Sequence, residues 1–122
     1  METNADNKHK PGEQKLMEEL NSLRSLIDTL PDYIYAKDTH GRFTLSNTTH
    51  TMHMGLASPE EIIGKTDFDF FPNDIAASFF ADEQEIIRTG KPLIQKDEIN
   101  TTLRGNTVRV LTSKIPMRDL NG

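Results

Sequence analysis

Apolar side chains recur in the first third of the chain at spacings of four, three, four and three residues. The positions are Leu16, Leu20, Leu23, Ile27 and Leu30. This spacing is typical of a coiled-coil seam and predicts an amphipathic helix over residues 16–30, which Pro31 ends. Because a lone helix of this length is marginal in water, we expect the seam to pack against its own domain or against a second copy. Residues 1–15 have almost no apolar side chains and are predicted to be a flexible leader.

The pattern after Pro31 predicts two β-hairpins with helices between them. Short aromatic and β-branched runs flank an Asp-x-x-Gly turn at 38–41, and a second hairpin is predicted from strands at 93–103 and 107–117. The predicted helices lie at 48–56, at 58–64 with Ser58 as its cap, and at 74–89 before Gly90. Strands at both ends with helices between them predict the α+β class, an antiparallel β-sheet with helices packed on one face.

The composition excludes several classes of function. The 122 residues include 14 Lys and Arg against 19 Asp and Glu, a net charge of −5, and no Cys. Without a run of basic residues, we expect no nucleic-acid partner. Without cysteine there is no disulfide framework, thiolate metal site or cysteine nucleophile. No apolar run approaches the ~20 residues of a membrane span, so we expect no membrane association and a cytoplasmic location.

Four segments resemble those of a PAS domain, a small sensory fold of signalling proteins, in their order and spacing. They are LPDYIYAKDTHGRFTLSN (30–47), EEIIGKTDFDFFP (60–72), IIRTGKP (86–92) and VRVLTSKIPMRDLNG (108–122). The resemblance covers residues 23–122 and implies a five-stranded antiparallel sheet of order 2-1-5-4-3, with helices that enclose a ligand pocket. With the leader predicted from its polar composition (1–15), the resemblance divides the rest of the chain into a dimerisation helix (16–30) and a PAS-like domain (31–122) that is truncated at its last hairpin turn.

The chain departs from the family pattern at its C-terminal end. The fifth strand, which normally follows a second Asp-x-x-Gly turn, is absent after residues 119–122. In the family this strand lies between the first and the fourth, so its absence leaves both of their edges unpaired. We expect a strand or helix of a second chain to fill the gap, by strand exchange or edge pairing. In the alternative, the two hairpins close into a four-stranded sheet.

Apolar residues of the predicted sheet and helices are the candidates for lining a ligand pocket. They are Ile34, Phe43, Leu45, Met52, Leu56, Ile63, Phe68, Phe71, Phe79, Val110 and Leu111. The alternative is that these side chains fill the core and leave no cavity. Alternation places Arg109 on the same face as Leu111 and opposite Val110, which leaves open which face lines the pocket. We expect the Arg109 side chain to extend to solvent.

His50 and His53 are weak candidates for a metal site, because residues three apart on a helix share one side. Two ligands alone do not make a site, so no metal is assigned. The resemblance argues against haem, because relatives usually ligate it from the long helix or its connector, and residues 66–90 contain no His. It also argues against flavin, because the chain lacks the Cys of flavin-adduct relatives and has no Trp. The cofactor stays unknown.

No constellation of nucleophile, acid and base, and no phosphate-binding loop, indicates an enzyme. We therefore predict a non-catalytic sensory or regulatory PAS domain that passes a pocket or partner signal on through dimer geometry. Its expected partners are a second copy and an output domain such as a histidine kinase or a diguanylate cyclase. One alternative is a constitutive interaction and dimerisation module with a filled core, and another is a small metal-binding protein that uses His50 and His53.

Overall fold

A computed structural model describes residues 11–118 and consists of two antiparallel hairpins with helices before and between them. The α-helices are α1 (Pro11–Thr29), α2 (Thr48–His53) and α3 (Asn73–Thr89). The strands are β1 (Tyr35–Lys37), β2 (Phe43–Ser46), β3 (Leu93–Thr101) and β4 (Thr107–Lys114). Single 3-10 turns lie at Pro59–Glu61 and Asp67–Asp69. The predicted α+β class and the N-terminal helix are confirmed.

The first helix begins earlier than its apolar pattern predicts. It starts at Pro11 instead of residue 16 and ends at Thr29, so Leu30 lies just beyond it. Proline is well suited to the first helical turn, and Glu13, Gln14 and Lys15 are good helix formers. Apolar periodicity cannot detect a turn that carries no apolar side chain. The predicted boundaries are corrected accordingly, and residues 1–10 of the predicted leader lie outside the described residues.

Side-chain caps set the limits of the helical segments between the hairpins. Asn47 caps α2 by accepting a hydrogen bond from the His50 amide. Ser58 and Glu61 form a capping box, but they enclose only one 3-10 turn instead of the predicted helix over 58–64. The predicted helix over 48–56 likewise ends early, because the chain turns through Gly55 at a φ of 80°.

The strands form two separate two-stranded sheets, β1–β2 and β3–β4. The expected alternative of a closed four-stranded sheet is therefore wrong. Among residues 11–118 no strand lies between β1 and β4, and residues 119–122, with the second turn, lie outside the described part. The relative order of the strands within each hairpin agrees with the order that the resemblance implies.

The second hairpin is attached to the helical layer by α3 and by the hairpin's own tip. Lys96 of β3 lies 2.6 Å from Asp82 of α3. At the tip, the Leu103 amide donates to the Phe70 carbonyl over 2.8 Å. The buried core lies beneath β2, and its members are Phe43, Met54, Ile62, Phe71, Ala76 and Phe79. As a result, the inner face of β4 lies opposite β1, and a cavity separates the two strands.

Candidate functional site

A cavity of about 830 Å³ lies between the first hairpin and β4. This volume is in the range of known small-molecule sites. One wall is aromatic and is made by Tyr33, Tyr35, His50, Phe71 and Phe79. The other wall is the inner face of the second hairpin, with Glu98, Asn100, Val108, Val110 and Thr112. The cavity therefore combines broad apolar surfaces with a few polar groups, as binding pockets do.

Ring contacts fix the aromatic wall. The Tyr35 ring stacks on the His50 imidazole with 4.6 Å between centroids, and the Phe71 and Phe79 rings meet edge to face at 5.2 Å. Near the cavity mouth, Tyr33 stacks on His53 at 4.5 Å. Burial raises the pKa of Tyr35, so its hydroxyl keeps its proton. The wall is a rigid surface that carries hydroxyl and imidazole groups.

His50 is a neutral, buried part of this wall. The residue is 2% exposed, and its Nδ1 atom lies 2.7 Å from the Ser46 hydroxyl. Burial lowers the pKa of His50 to about 3, and the charges of His53 and Lys37 act in the same direction. Ser46 also lies 2.9 Å from the Thr51 hydroxyl, so the imidazole belongs to a buried hydroxyl network.

Because His50 stays neutral in the folded protein, we expect stability to fall in weak acid. Unfolded histidine titrates near pH 6.5, so between about pH 6.5 and 3 the unfolded chain binds a proton that the folded chain does not. From pH 7 to 5 this costs the protein about 2 kcal/mol of unfolding free energy. Urea unfolding of the parent and of His50→Gln at both pH values measures the difference, and an equal pH dependence in the two proteins would contradict it.

A buried network of four ionised side chains lies beside the aromatic wall. Lys37 of β1 contacts Asp67 and, at 2.6 Å, Glu83 of α3, which in turn lies 2.7 Å from Lys114 of β4. Each of these side chains is at most 15% exposed. Burial raises the pKa of Asp67 even though Lys37 acts against that shift. The two cations and two carboxylates balance, and they join both hairpins to α3.

Two polar groups at the cavity make no hydrogen bond to residues 11–118, and a third, Glu98, has only one long ion pair there. The Glu98 side chain is 9% exposed, and the nearest cation, Lys96 Nζ, is 3.6 Å from its carboxylate. The Asn100 amide and the Tyr35 hydroxyl make no hydrogen bond to the described residues. Buried polar groups are nearly always paired, so an incompletely paired set at one cavity indicates a site that receives a polar ligand or water.

The structure places only some of the predicted pocket residues at this cavity. Phe71, Phe79, Val110 and Leu111 line it. Phe43, Leu56, Ile34 and Leu45 do not, since Phe43 belongs to the core, Leu56 packs against it and the other two are half-buried elsewhere. Met52, Ile63 and Phe68 are 69%, 50% and 45% exposed and do not line this cavity. On such short segments the sequence pattern cannot distinguish apolar side chains at the surface from apolar side chains in the core.

The two faces of β4 differ in their exposure to solvent. Arg109 points to solvent and pairs with Asp97 across the hairpin at 2.6 Å. Leu111 is on the same exposed face, although it lines the cavity edge. Val108 and Val110 are half-buried on the opposite face, which is the one toward the cavity interior.

Sequence reasoning missed the polar part of the site. Glu98 and Asn100 alternate with the exposed Ile99, so the inner face of β3 is polar and its outer face carries the apolar side chain. Tyr33, Tyr35 and Lys37 show the same alternation on and before β1. Alternation alone could have grouped these residues, but only the structure shows which face is inside.

The described part of the chain contains no complete ligand set for the metal-binding alternative. No three side chains of His, Asp or Glu come together there as a metal site. The Nδ1 atom of His50 is hydrogen-bonded to Ser46, and the ring of His53 stacks on Tyr33.

Within residues 11–118 no helix is long and apolar enough to cross a membrane. The cytoplasmic location stays a prediction.

Solved structures resemble this chain over most of its length. VqmA bound to DPO is 30% identical, with a TM-score of 0.72 over 84% of this chain and 52% of that one. VqmA of Vibrio cholerae in a complex with ligand and DNA gives the same identity and score over 84% and 45%. The PAS domain of Bordetella pertussis BvgS is 26% identical, with a TM-score of 0.63 over 86% and 78%. The chain spans about half the length of the VqmA chains. No curated protein is significantly similar in sequence.

These relatives correct the exclusion of nucleic acid. VqmA is described as a DNA-binding receptor of the LuxR type, and one structure contains DNA. The expectation of no nucleic-acid partner is therefore wrong. It rested on the acidic charge of this chain, but the charge of one domain does not limit what another part of a regulator binds. Homodimerisation, strand exchange and the identity of an output domain stay predictions.

The family model described as PAS fold matches residues 27–122, which include both hairpins and every helix after α1. The match begins near the end of α1, so most of that helix precedes the region that the family shares. The architecture, the cavity beside the sheet and the solved relatives agree with this match. The chain therefore belongs to the PAS family of sensory domains.

Proposed function

We propose that this domain senses a small organic molecule in its cavity and passes the signal on, without catalysis, through α1. The observation that carries the proposal is a set of incompletely paired polar groups beside the apolar walls of a cavity large enough for such a ligand: Tyr35 and Asn100 without a partner among the described residues, and Glu98 with one long ion pair. The alternative of an interaction module with a filled core leaves both the cavity and these groups unexplained. Binding of DPO by VqmA is a precedent for a small-molecule ligand in a similar domain.

A serine and histidine pair behind the cavity wall supports a non-catalytic role. Ser46 Oγ lies 2.7 Å from His50 Nδ1, which is the spacing of an activated serine. Ser46 is 0% exposed, however, and its hydroxyl is also held by Thr51 at 2.9 Å. A substrate cannot reach this oxygen without unpacking the core, so the pair is structural.

A thermal-shift screen tests ligand binding. A ligand present at a hundred times its dissociation constant adds about 2.7 kcal/mol to stability. We expect at least one pool of small metabolites to raise the unfolding midpoint of the parent protein and of Ile94→Trp, because Ile94 is 62% exposed and does not line the cavity. Val110→Trp places the same ring on the inner face and should abolish the shift. If no pool raises the midpoint, or if Val110→Trp responds as well as the parent, the cavity is not the binding site.

We propose that the signal reaches α1 through hydrogen bonds near the C-terminal end of that helix. Asn47 donates to the Ile27 carbonyl over 2.8 Å, and the Thr48 amide donates to Asp28 over 2.9 Å. The Arg24 guanidinium donates to the Ser46 carbonyl over 2.8 Å. Ser46 is also the hydrogen-bond partner of His50 in the cavity wall. A ligand that prefers one position of this wall would thereby shift the population of α1 orientations.

We further propose that α1 pairs with α1 of a second copy. Leu16, Leu20 and Leu23 are 56%, 55% and 53% exposed, and no residue of the helix is buried in its own domain. An apolar seam of this kind is unstable in water unless it is covered. VqmA is described as a dimer. Similarity to VqmA also favours a DNA-linked output, with the contact to DNA made outside this acidic domain.

Leu23→Glu is expected to separate the dimer. A carboxylate on the covered seam has no partner there, and we expect the dimer dissociation constant to rise by more than about 100-fold. Ser25→Glu adds the same charge to an exposed position of the same helix and should leave the dimer intact. Sedimentation velocity over a concentration series measures both. A parent protein that is monomeric at every concentration, or a Leu23→Glu variant that sediments like the parent, contradicts the pairing.

A further inference from the structure

Among the charged side chains that line the cavity, one is both buried and only weakly paired. The charged side chains at the cavity are Asp32, Asp67, Glu98 and Arg109. Asp67 is paired with Lys37, and Arg109 is paired with Asp97. Asp32 is exposed and so remains solvated by water. Glu98 is a buried carboxylate whose one ion pair among the described residues, to Lys96, is long at 3.6 Å.

Lys96 is shared between Glu98 and a second carboxylate, Asp82. Its Nζ lies 2.6 Å from Asp82 but 3.6 Å from the Glu98 carboxylate, and the lysine is partly exposed. One cation is therefore shared by two carboxylates, and the shorter contact is to Asp82. The group of three keeps an excess of one negative charge, which is placed on a side chain that is 9% exposed. Burying such a charge is costly unless something compensates it.

A second hydrogen-bond acceptor and an apolar surface lie beside Glu98 at the cavity. Asn100 follows two residues later on the same face of β3, and its amide oxygen has no donor among the described residues. Glu98 and Asn100 line both the main cavity and a smaller one of about 270 Å³ beside α3, so they lie where the two meet. Phe79 borders both cavities as well and supplies an apolar surface.

We propose that the ligand is a small organic monocation, an amine or amidinium, whose N–H groups bind the Glu98 carboxylate and the Asn100 amide oxygen. This inference rests on the proposed function and adds the chemical class of the ligand. One positive charge neutralises the unmatched carboxylate, and charge-assisted hydrogen bonds satisfy both acceptors. The carbon part of the ligand packs between Phe79 and Val110. An anion of the same shape is excluded by repulsion from Glu98.

Three probes of the same shape and different charge test the class: benzylammonium, benzyl alcohol and benzoate. We expect titration calorimetry to show benzylammonium binding to the parent at least tenfold more tightly than benzyl alcohol, and no binding of benzoate. Glu98→Gln should remove this preference, whereas Glu60→Gln, at an exposed position on the 3-10 turn, should keep it. Equal affinity for the three probes, or a preference that survives in Glu98→Gln, would overturn the inference.

The apo protein supplies a second readout that does not depend on the probe. If Glu98 is an uncompensated charge kept for a ligand, Glu98→Gln should raise the unfolding midpoint by a few degrees, since it removes a buried charge and keeps the shape. A lowered midpoint would show that Glu98 is a structural partner of Lys96 and would overturn the inference. A metabolite pool that stabilises the parent and Glu98→Gln equally would also overturn it while leaving the proposed function intact. Failure of every pool would count against the proposed function itself.

Discussion

Lys37→Met is expected to destabilise the domain by about 3–5 kcal/mol, because it leaves the Asp67 carboxylate buried without a cation. Glu83 keeps Lys114 at 2.7 Å, so the loss is concentrated on Asp67. The melting midpoint should fall by more than about 10 °C. Since protonation removes the uncompensated charge, the destabilisation should be smaller at pH 4.5 than at pH 7.5.

Lys65→Met is the matched control, because Lys65 is exposed and makes no contact with the network. Its effect on the free energy of unfolding should be within about 0.5 kcal/mol of zero. The double variant Lys37→Met/Asp67→Asn should recover part of the stability, because it removes the carboxylate charge that Lys37→Met leaves without its ion-pair partner. If Lys37→Met costs no more than Lys65→Met, the network does not hold the two hairpins against α3.

Asn47→Ala is expected to have an effect of similar size and to loosen α1. The Asn47 side chain is 0% exposed and accepts hydrogen bonds from the Ile34 and His50 amides over 3.1 and 3.0 Å. It also donates to the carbonyls of Ile27 and Asp32, each over 2.8 Å. The substitution removes four hydrogen bonds and leaves their buried partners unpaired, which should lower the free energy of unfolding by about 3 kcal/mol or more. Amides of residues 24–30 should exchange with solvent faster than in the parent.

Thr49→Ala removes a single hydrogen bond, of 2.9 Å to the Leu30 carbonyl, from the same junction. It should cost about 1 kcal/mol and leave exchange in the middle of α1 unchanged. Hydrogen exchange followed by mass spectrometry compares the two variants. Unchanged protection of residues 24–30 in Asn47→Ala would show that Asn47 does not connect α1 to the cavity wall.

Several turns and caps could be predicted because their geometry requires a particular residue type. Gly41 and Gly90 adopt φ values of 80° and 70°, which side chains other than glycine rarely accept. Ser58 and Glu61 are spaced for a capping box and form one. These features depend on neighbours within a few residues, which the sequence contains in full.

The ion network and the polar cavity wall could not be predicted, because they depend on contacts between distant residues. Lys37 and Glu83 are 46 positions apart, and neither has a local signal that indicates a buried partner. On β3, the polar face with Glu98 is inside and the face with Ile99 is outside, which inverts the usual pattern. Such an inversion becomes visible only when the packing against α3 is known, and it marks a functional site more often than an ordinary core.

Chemical-shift mapping with the strongest stabiliser from the thermal-shift screen tests the central claim most directly. The claim is that a ligand binds between β1 and β4 and that the effect reaches α1. In spectra of the ¹⁵N-labelled domain, we expect perturbed amides at residues 33–37, at 98–112 and, through Asn47, at 24–30. Perturbations confined to exposed positions on the outer face, such as Ile99 and Leu111 without Asn100 or Val110, would contradict binding in the cavity. Perturbations in the cavity that stop before residues 24–30 would contradict the relay.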